Sequence, residues 1–153
     1  MPDKGEIRAE IRAGGAAVEL TVIGYTRNDA AARAAGIVVT GPYRNDRAGA
    51  EIEAADPDLI LIPSIWPETY CYTLSHALAS GRPVAGFDIG AVGTRLRDAG
   101  LAGGLGRGQA GAPCTVLALA RDPSALLEAL VSAAGVDEKS QVAPRQMVAV
   151  AAG

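Results

Sequence analysis

Short runs of apolar residues alternate along this chain with segments in which apolar residues recur three or four positions apart. The short runs are typical of buried strands, and they fall at 18–24, 37–40, 58–62, 84–87 and 114–120. The periodic segments predict helices, and they fall at 4–13, 29–35, 47–55, 69–80, 94–99 and 122–134. Because strands that alternate with helices form parallel sheets, the pattern predicts an α/β fold with a doubly wound parallel sheet.

The run at 58–62 has the pattern of a central strand. Its sequence, DLILI, is apolar on both faces after the first residue, which is typical of a strand covered by helices on each side. Pro63 and Pro67 follow it, so we expect 63–68 to be a loop. This loop leaves the carboxyl end of a strand, which is where open parallel sheets bind ligands.

The segments that form the core end near residue 135. We therefore expect one domain over 1–135. The remaining segment, 136–153, is sparse in core residues, and we expect it to be a C-terminal tail that forms a surface crossover or is partly disordered.

Composition narrows the functions that this fold is expected to serve. The 153 residues carry 14 basic and 17 acidic side chains, a net charge of −3, without a Lys/Arg cluster, so no nucleic-acid partner is expected. No apolar run reaches the roughly 20 residues that cross a bilayer, and the start of the chain does not resemble a signal peptide, so we expect a cytoplasmic protein that is not transmembrane. The two cysteines lack neighbours at ligand spacing, so no metal site is expected.

The loop at 63–68 and the helix predicted after it carry the candidate chemistry. Glu68 precedes the first backbone N–H groups of that helix, near Thr69 to Cys71, and such groups attract phosphate. Glu68 itself is in position to accept hydrogen bonds from sugar hydroxyls, and the alternative is an exposed acid that only caps the helix. His76 would lie about 12 Å further along the helix axis, comparable with the span from a sugar through a diphosphate to a ribose.

The residues around this loop resemble one enzyme family. The run PSIWPETYCYTLSHALASGRPVAGFDIGA, at 63–91, resembles the donor-binding signature of the family-four (group 1) GT-B glycosyltransferases of bacterial type. That signature places a glutamate after a strand ending in Pro-Ser, and a Gly-x-Pro-Val strand further on. The runs TVIGYTRNDA and VVTGPYRND resemble the second and third strands of the same C-terminal domain, and Lys4-Gly5 resembles the family's Lys-Gly pair. The resemblance covers residues 2 to about 135.

The resemblance implies the Rossmann-like C-terminal half of a GT-B enzyme that binds a nucleoside-diphosphate sugar and transfers the sugar with retention, without a metal or cofactor. Glu68 would be the catalytic residue and hold hydroxyls of the transferred sugar. Lys4 would neutralise the donor diphosphate, and His76 would hold the ribose. The backbone of four residues would surround the sugar and phosphate: Thr69, Tyr70, Cys71 and Tyr72. A helix end together with a lysine stabilises the departing diphosphate without proton transfer.

The sequence departs from the family pattern at three points. The family's second glutamate is His76 here, and a neutral imidazole cannot bind both ribose hydroxyls as a carboxylate can. No arginine precedes Lys4. The family's first strand would precede Lys4 and lie between the strands at 18–24 and 58–62. Without it, we expect those two strands either to pair with each other or to leave the chain less stable, because unpaired backbone groups are costly.

The family's N-terminal acceptor-binding domain is the expected partner of this chain. Because GT-B enzymes work across the cleft between two domains, we expect no turnover by this chain alone. The alternative is a non-catalytic remnant or interaction module, in which His76 marks a degenerate donor site.

Overall fold

The computed structural model describes residues 11–13, 16–101, 114–118 and 145–150. The strands within these ranges are β1 Ile11–Ala13, β2 Ala16–Ile23, β3 Val38–Val39, β4 Leu59–Ile62, β5 Val84–Phe87, β6 Cys114–Leu117 and β7 Arg145–Val150. The α-helices are α1 Asp29–Ala34, α2 Ala48–Ala55, α3 Tyr72–Ala79 and α4 Gly90–Leu101. A 3₁₀ turn at Asn45–Arg47 leads into α2.

These strands form one sheet in the order β3-β2-β7-β4-β5-β6, with β1 also paired to β2. Strands β2 to β7 run parallel, and β1 runs antiparallel to β2. Since β7 occupies one edge of β2, the short strands β1 and β3 share the other. The parallel strands follow the 3-2-1-4-5-6 order of a doubly wound sheet, with β7 in the first position. The predicted fold class is therefore confirmed.

Strand β7 corrects the prediction for the C-terminal tail. Arg145–Val150 does not cross the surface but lies in the middle of the sheet, where Val148 pairs with Thr21 of β2 and with Ile60 of β4. The gap expected between β2 and β4 is therefore filled by the last described strand of the chain. The physical reason is that β2 and β4 each need a backbone partner, and the apolar run at 147–150 can be buried on both faces.

Strand β1 corrects the first predicted helix. Ile11–Ala13 was expected to end a helix over 4–13, but it is extended and pairs with the start of β2. Ala13 pairs with Ala16, so Gly14-Gly15 separates the two strands, and Gly-Gly is a pair typical of two-residue hairpin connections. The rest of that predicted helix, 4–10, lies outside the described residues, as does the helix predicted at 122–134.

Helices cover both faces of the sheet because alternate strand residues point to opposite sides. On one face α2, α3 and α4 pack against a buried cluster of strand residues: Ile23, Ile60, Ile62, Val84, Val148 and Val150. On the other face α1 lies beside β3 and packs against Val22, Val39 and Ala149. A further buried cluster on this second face contains Val18, Leu59, Ala85, Phe87, Leu117 and Met147.

The other predicted elements are present with shifted ends. Helix α4 begins at Gly90, whereas 94–99 was predicted, and β6 covers the first four residues of the strand predicted at 114–120. No helix in the described ranges is long and apolar enough to cross a bilayer.

Candidate functional site

The candidate site is a cleft at the carboxyl ends of β4 and β7, where the order of the strands reverses. This is the position at which doubly wound sheets bind ligands. The cleft has a volume of about 230 Å³. Its lining residues are Ile62, Pro63, Ser64, Ile65, Trp66, Glu68, Cys71, Thr73 and Val150.

Glu68 carries the only carboxylate among the lining residues of this cleft. The side chain is half-buried, and its Oε1 accepts a hydrogen bond from the Ser64 hydroxyl at 2.5 Å. Its backbone carbonyl accepts the N–H of Ala91 at 2.9 Å, so the loop is attached to the start of α4. A carboxylate has about four acceptor sites, so Glu68 can accept further hydrogen bonds from a ligand.

Helix α3 begins three residues later than predicted. Cys71 is its N-cap, in an extended conformation, so Thr69 and Tyr70 are not helical. In a helix from Thr69 the Glu68 carbonyl would accept the Tyr72 N–H, whereas here it accepts the Ala91 N–H of α4. The first-turn N–H groups that lack a partner within the helix therefore belong to 72–74, and not to 69–71 as predicted.

Cys71 is buried against Glu68. Burial raises the pKa of the Cys71 thiol, and the neighbouring Glu68 carboxylate acts in the same direction, whereas the Leu74 N–H and Arg95 oppose it. Cys71 is 3% exposed, and its raised pKa keeps the thiol protonated at neutral pH.

Tyr43 and Thr73 connect the loop after β3 to the first turn of α3. Tyr43 packs against the core cluster below α3. Burial raises the pKa of the Tyr43 hydroxyl, and a hydrogen bond with Thr73 acts against that rise. Thr73 also lines the cleft, so this pair supports one of its walls.

Exposed apolar side chains lie on the segment that lines and follows the cleft. Trp66 is 75% exposed, and Ile65, Tyr70 and Tyr72 are also largely exposed. The rings of Tyr70 and Tyr72 meet edge to face, with centroids 4.8 Å apart. These two predicted site residues therefore contact each other beside the cleft rather than lining it.

Arg95 of α4 holds the segment between the loop and α3. Its guanidinium donates to the Cys71 carbonyl at 2.7 Å and to the Ser75 hydroxyl at 2.8 Å, and it lies 4.8 Å from the centre of the Tyr70 ring. The sequence did not indicate this residue, because an arginine that binds a backbone carbonyl 24 positions away has no local pattern.

The structure brings together only part of the predicted site. Glu68 and Cys71 line the cleft, and Tyr72 begins the helix, whereas Thr69 is exposed and does not line the cleft. His76 lies in the second turn of α3 and is not a lining residue. Because the helix starts at Tyr72, only about 6 Å of helix axis precedes His76, and the rest of its separation from Glu68 is non-helical chain.

Lys4 lies outside the described residues. Ser64 and Val150 were not predicted as site residues. Ser64 follows β4 directly, and a hydroxyl at the end of a buried strand is a signal that could have found it. Val150 had no such signal, because its place depends on where β7 enters the sheet.

A second cleft, of about 310 Å³, lies between α2 and the β2–β3 edge. It includes Glu19, Glu51 and Gln146, whose amide donates to Thr21 at 2.7 Å. This cleft lies along the middle of β2 and not where the strand order reverses, so it is a weaker candidate for a ligand site. Within the described ranges, no group of three His, Cys, Asp or Glu side chains could hold a metal ion.

Comparisons of the chain with protein-family models, with curated proteins and with solved structures find no match.

Proposed function

We propose that this chain is the donor-binding half of a retaining GT-B glycosyltransferase and that its cleft binds a nucleoside-diphosphate sugar. The observation that carries the proposal is the position of Glu68, whose carboxylate lines a cleft at the point where the strand order reverses. The resemblance of 63–91 to the donor-binding signature assigns the same residue to the transferred sugar.

Each part of the donor has a proposed partner in this arrangement. Glu68 accepts hydrogen bonds from the sugar hydroxyls while Ser64 fixes its orientation. The N–H groups at the start of α3 receive the diphosphate, and the positive charge of Arg95 beside Cys71 favours an anion at that end. Lys4 is the further phosphate ligand that the resemblance implies.

The size of the cleft favours a site that is completed by another surface. Pockets for ligands of this size range usually measure about 300–1,000 Å³. The cleft measures about 230 Å³, and its lining includes the exposed residues Ile65 and Trp66. In the proposal, the N-terminal acceptor domain closes it, and transfer takes place only in the two-domain enzyme.

A non-catalytic remnant is the second candidate, and the position of His76 favours it. In the family, the second glutamate holds the ribose. His76 stands at that position here, and it does not line the cleft. A donor would then lack one of its main contacts.

Titration with nucleotide sugars tests the proposal. A uridine, guanosine or adenosine diphosphate sugar at 100 times its Kd should stabilise the fold by about 2.7 kcal/mol, measured as a thermal shift. Glu68→Gln should weaken that binding by about ten-fold or more, because a charged acceptor is lost. Glu53→Gln, an exposed substitution on α2, is the matched control and should leave the affinity unchanged. No thermal shift with any donor of the panel would contradict the proposal.

His76→Glu separates the two candidates. If the chain is a remnant of a donor site, the variant should gain affinity for the same nucleotide sugar, measured by calorimetry, because a carboxylate can hold both ribose hydroxyls. Equal binding of a donor by the wild type and the variant would support a functional donor-binding half in which the ribose is held elsewhere.

A further inference from the structure

Arg95 connects α4 to the segment that leads into α3. It lies on the second turn of α4, half-buried, and reaches three groups on the segment 70–75. These groups are the carbonyl of Cys71, the hydroxyl of Ser75 and the ring of Tyr70. They differ in chemistry, so the contacts together fix both the position and the orientation of the segment.

The first part of the segment needs such support because Tyr70 and Cys71 precede α3 and are not regular structure. Cys71 is extended, and the first hydrogen bond of α3, from the Ser75 N–H to the Cys71 carbonyl, is long at 3.4 Å. Arg95 donates to the same carbonyl at 2.7 Å. The Tyr70 hydroxyl lies 3.2 Å from the Ser75 hydroxyl, so Arg95, Tyr70 and Ser75 form one connected group.

We infer that Arg95 is a positioning residue for the candidate site, which holds the segment 70–75 so that the start of α3 faces the cleft. The ligand part of this inference rests on the proposed function, because it assumes that a diphosphate binds at the start of α3. The positioning part concerns the segment alone and can be measured without any ligand.

The chemistry of arginine explains why this position is specific. A planar guanidinium donates two hydrogen bonds in fixed directions and also packs on an aromatic ring, whereas a lysine ammonium is a single point charge. Arg95→Lys should therefore keep the positive charge near Tyr70 but lose one of the two directed hydrogen bonds. Arg95→Gln should lose the charge and the paired hydrogen bonds.

Thiol labelling measures the positioning directly. In a Cys114→Ser background, Cys71 is the sole thiol of the chain and is buried, so it reacts with 5,5′-dithiobis(2-nitrobenzoate) only when the segment opens. Arg95→Gln should raise the labelling rate by about ten-fold or more, and Arg95→Lys should raise it less. Arg97→Gln is the matched control, since Arg97 lies on the same helix and pairs with Asp88 at the surface; it should change the rate by less than about two-fold.

A second measurement separates a local effect from general destabilisation. The midpoint of urea unfolding should be similar in Arg95→Gln and Arg97→Gln, whereas only the former should label faster. If Arg95→Gln does not fold, judged by circular dichroism, the comparison is made with Arg95→Lys. Equal labelling rates in the wild type and the Arg95 variant would overturn the inference, whatever ligand the chain binds.

The ligand part is tested with the uridine, guanosine and adenosine diphosphate sugars. Arg95→Gln should weaken the donor that binds best by about ten-fold or more, and Arg95→Lys should recover part of the loss. An unchanged affinity together with faster labelling would overturn the ligand part of the inference. No binding by the wild type would contradict the proposed function instead, and the labelling rates would then still decide whether Arg95 holds the segment.

Discussion

Gly90 determines how closely α4 approaches the loop that carries Glu68. Its φ of +53° lies in the left-handed region, which residues with a Cβ rarely adopt. A Cβ added at Gly90 would lie 2.8 Å from the Pro67 Cα and 2.9 Å from the Glu68 carbonyl oxygen, both backbone atoms. The next residue, Ala91, donates to that same oxygen, so the position of Glu68 depends on a glycine at 90.

Gly90→Ala should therefore destabilise the protein and disturb the loop. We expect a loss of about 1–3 kcal/mol in the free energy of unfolding, measured in urea, from backbone strain and from the contact with Pro67. Gly49→Ala is the control, because nothing lies within 4 Å of a Cβ added at that position in α2. It should stabilise the protein by up to about 1 kcal/mol. Equal effects of the two substitutions would contradict this explanation.

Asp29 makes the start of α1 sensitive to acid. Its Oδ1 accepts the Thr26 N–H at 2.6 Å and the Thr26 hydroxyl at 2.8 Å, and these hydrogen bonds lower the pKa of the carboxyl below its ordinary 3.8. A lowered pKa means that the ionised group stabilises the folded state above pH 3.8, and that this contribution is lost as the pH falls through the folded-state pKa.

Asp29→Asn should accordingly be less stable than the wild type at pH 6, and the difference should narrow below pH 3.8. Urea unfolding of both proteins between pH 6 and pH 3 measures it. A difference that stays constant over this range would show that the carboxylate charge is not the cause.

Some secondary-structure elements could be predicted from local sequence alone, and others could not. Strands β2, β4 and β5 and helices α1 and α2 were predictable, because each depends on its own apolar pattern and end signals. β1 was mistaken for a helix, since Ile7 and Ile11 fit a helical spacing, although the Gly14-Gly15 pair favoured a hairpin. β7 was missed for a different reason: its apolar run at 147–150 is visible, but its place in the sheet depends on the vacancy between β2 and β4.

The candidate site was predictable to a similar extent. Glu68 and Cys71 line the cleft, as the strand, loop and helix order predicts, because that order brings a loop to the carboxyl edge of the sheet; their roles stay predictions. The start of α3 was misplaced, and the Glu68 carbonyl is bonded by Ala91 of α4, a contact between a loop and a distant helix that local sequence does not show. Arg95 was missed for the same reason, since its partners are distant in sequence.

Val148→Ala tests the central position of β7. Val148 is fully buried between β2 and β4, so its truncation should cost about 1.5–3 kcal/mol of the free energy of unfolding in urea. Val38→Ala is the same substitution on the edge strand β3, where the side chain is 46% exposed, and should change stability by less than about 0.5 kcal/mol. Similar costs at the two positions would contradict the placement of β7 in the sheet.

The molecule as a whole is organised around a strand that comes last in its described sequence. The sheet has the spatial order of a doubly wound fold, but the strand in the first position is β7, so contacts between distant parts of the chain hold its centre. β7 is bonded to a neighbour on both sides, and it can be released only when the sheet itself separates.

Hydrogen exchange should follow this organisation. The amides of Val148 and Ala149 should exchange only through global unfolding, with an opening free energy within about 1 kcal/mol of the urea value. The amide of Thr40, which follows the edge strand β3 and donates to the Val22 carbonyl, should exchange through a smaller local opening. Exchange at Val148 as fast as at Thr40, measured by nuclear magnetic resonance, would show that β7 detaches independently.

The exposed indole of Trp66 has a practical consequence for studies of this protein. Trp66 is the single tryptophan of the chain, it lines the cleft, and three quarters of its surface is open to solvent. Its fluorescence therefore arises at one known position, with a long-wavelength emission and ready quenching by iodide. A molecule that occupies the cleft, or a domain that closes over it, shields this fluorophore, so occupancy can be followed on the unlabelled wild-type chain.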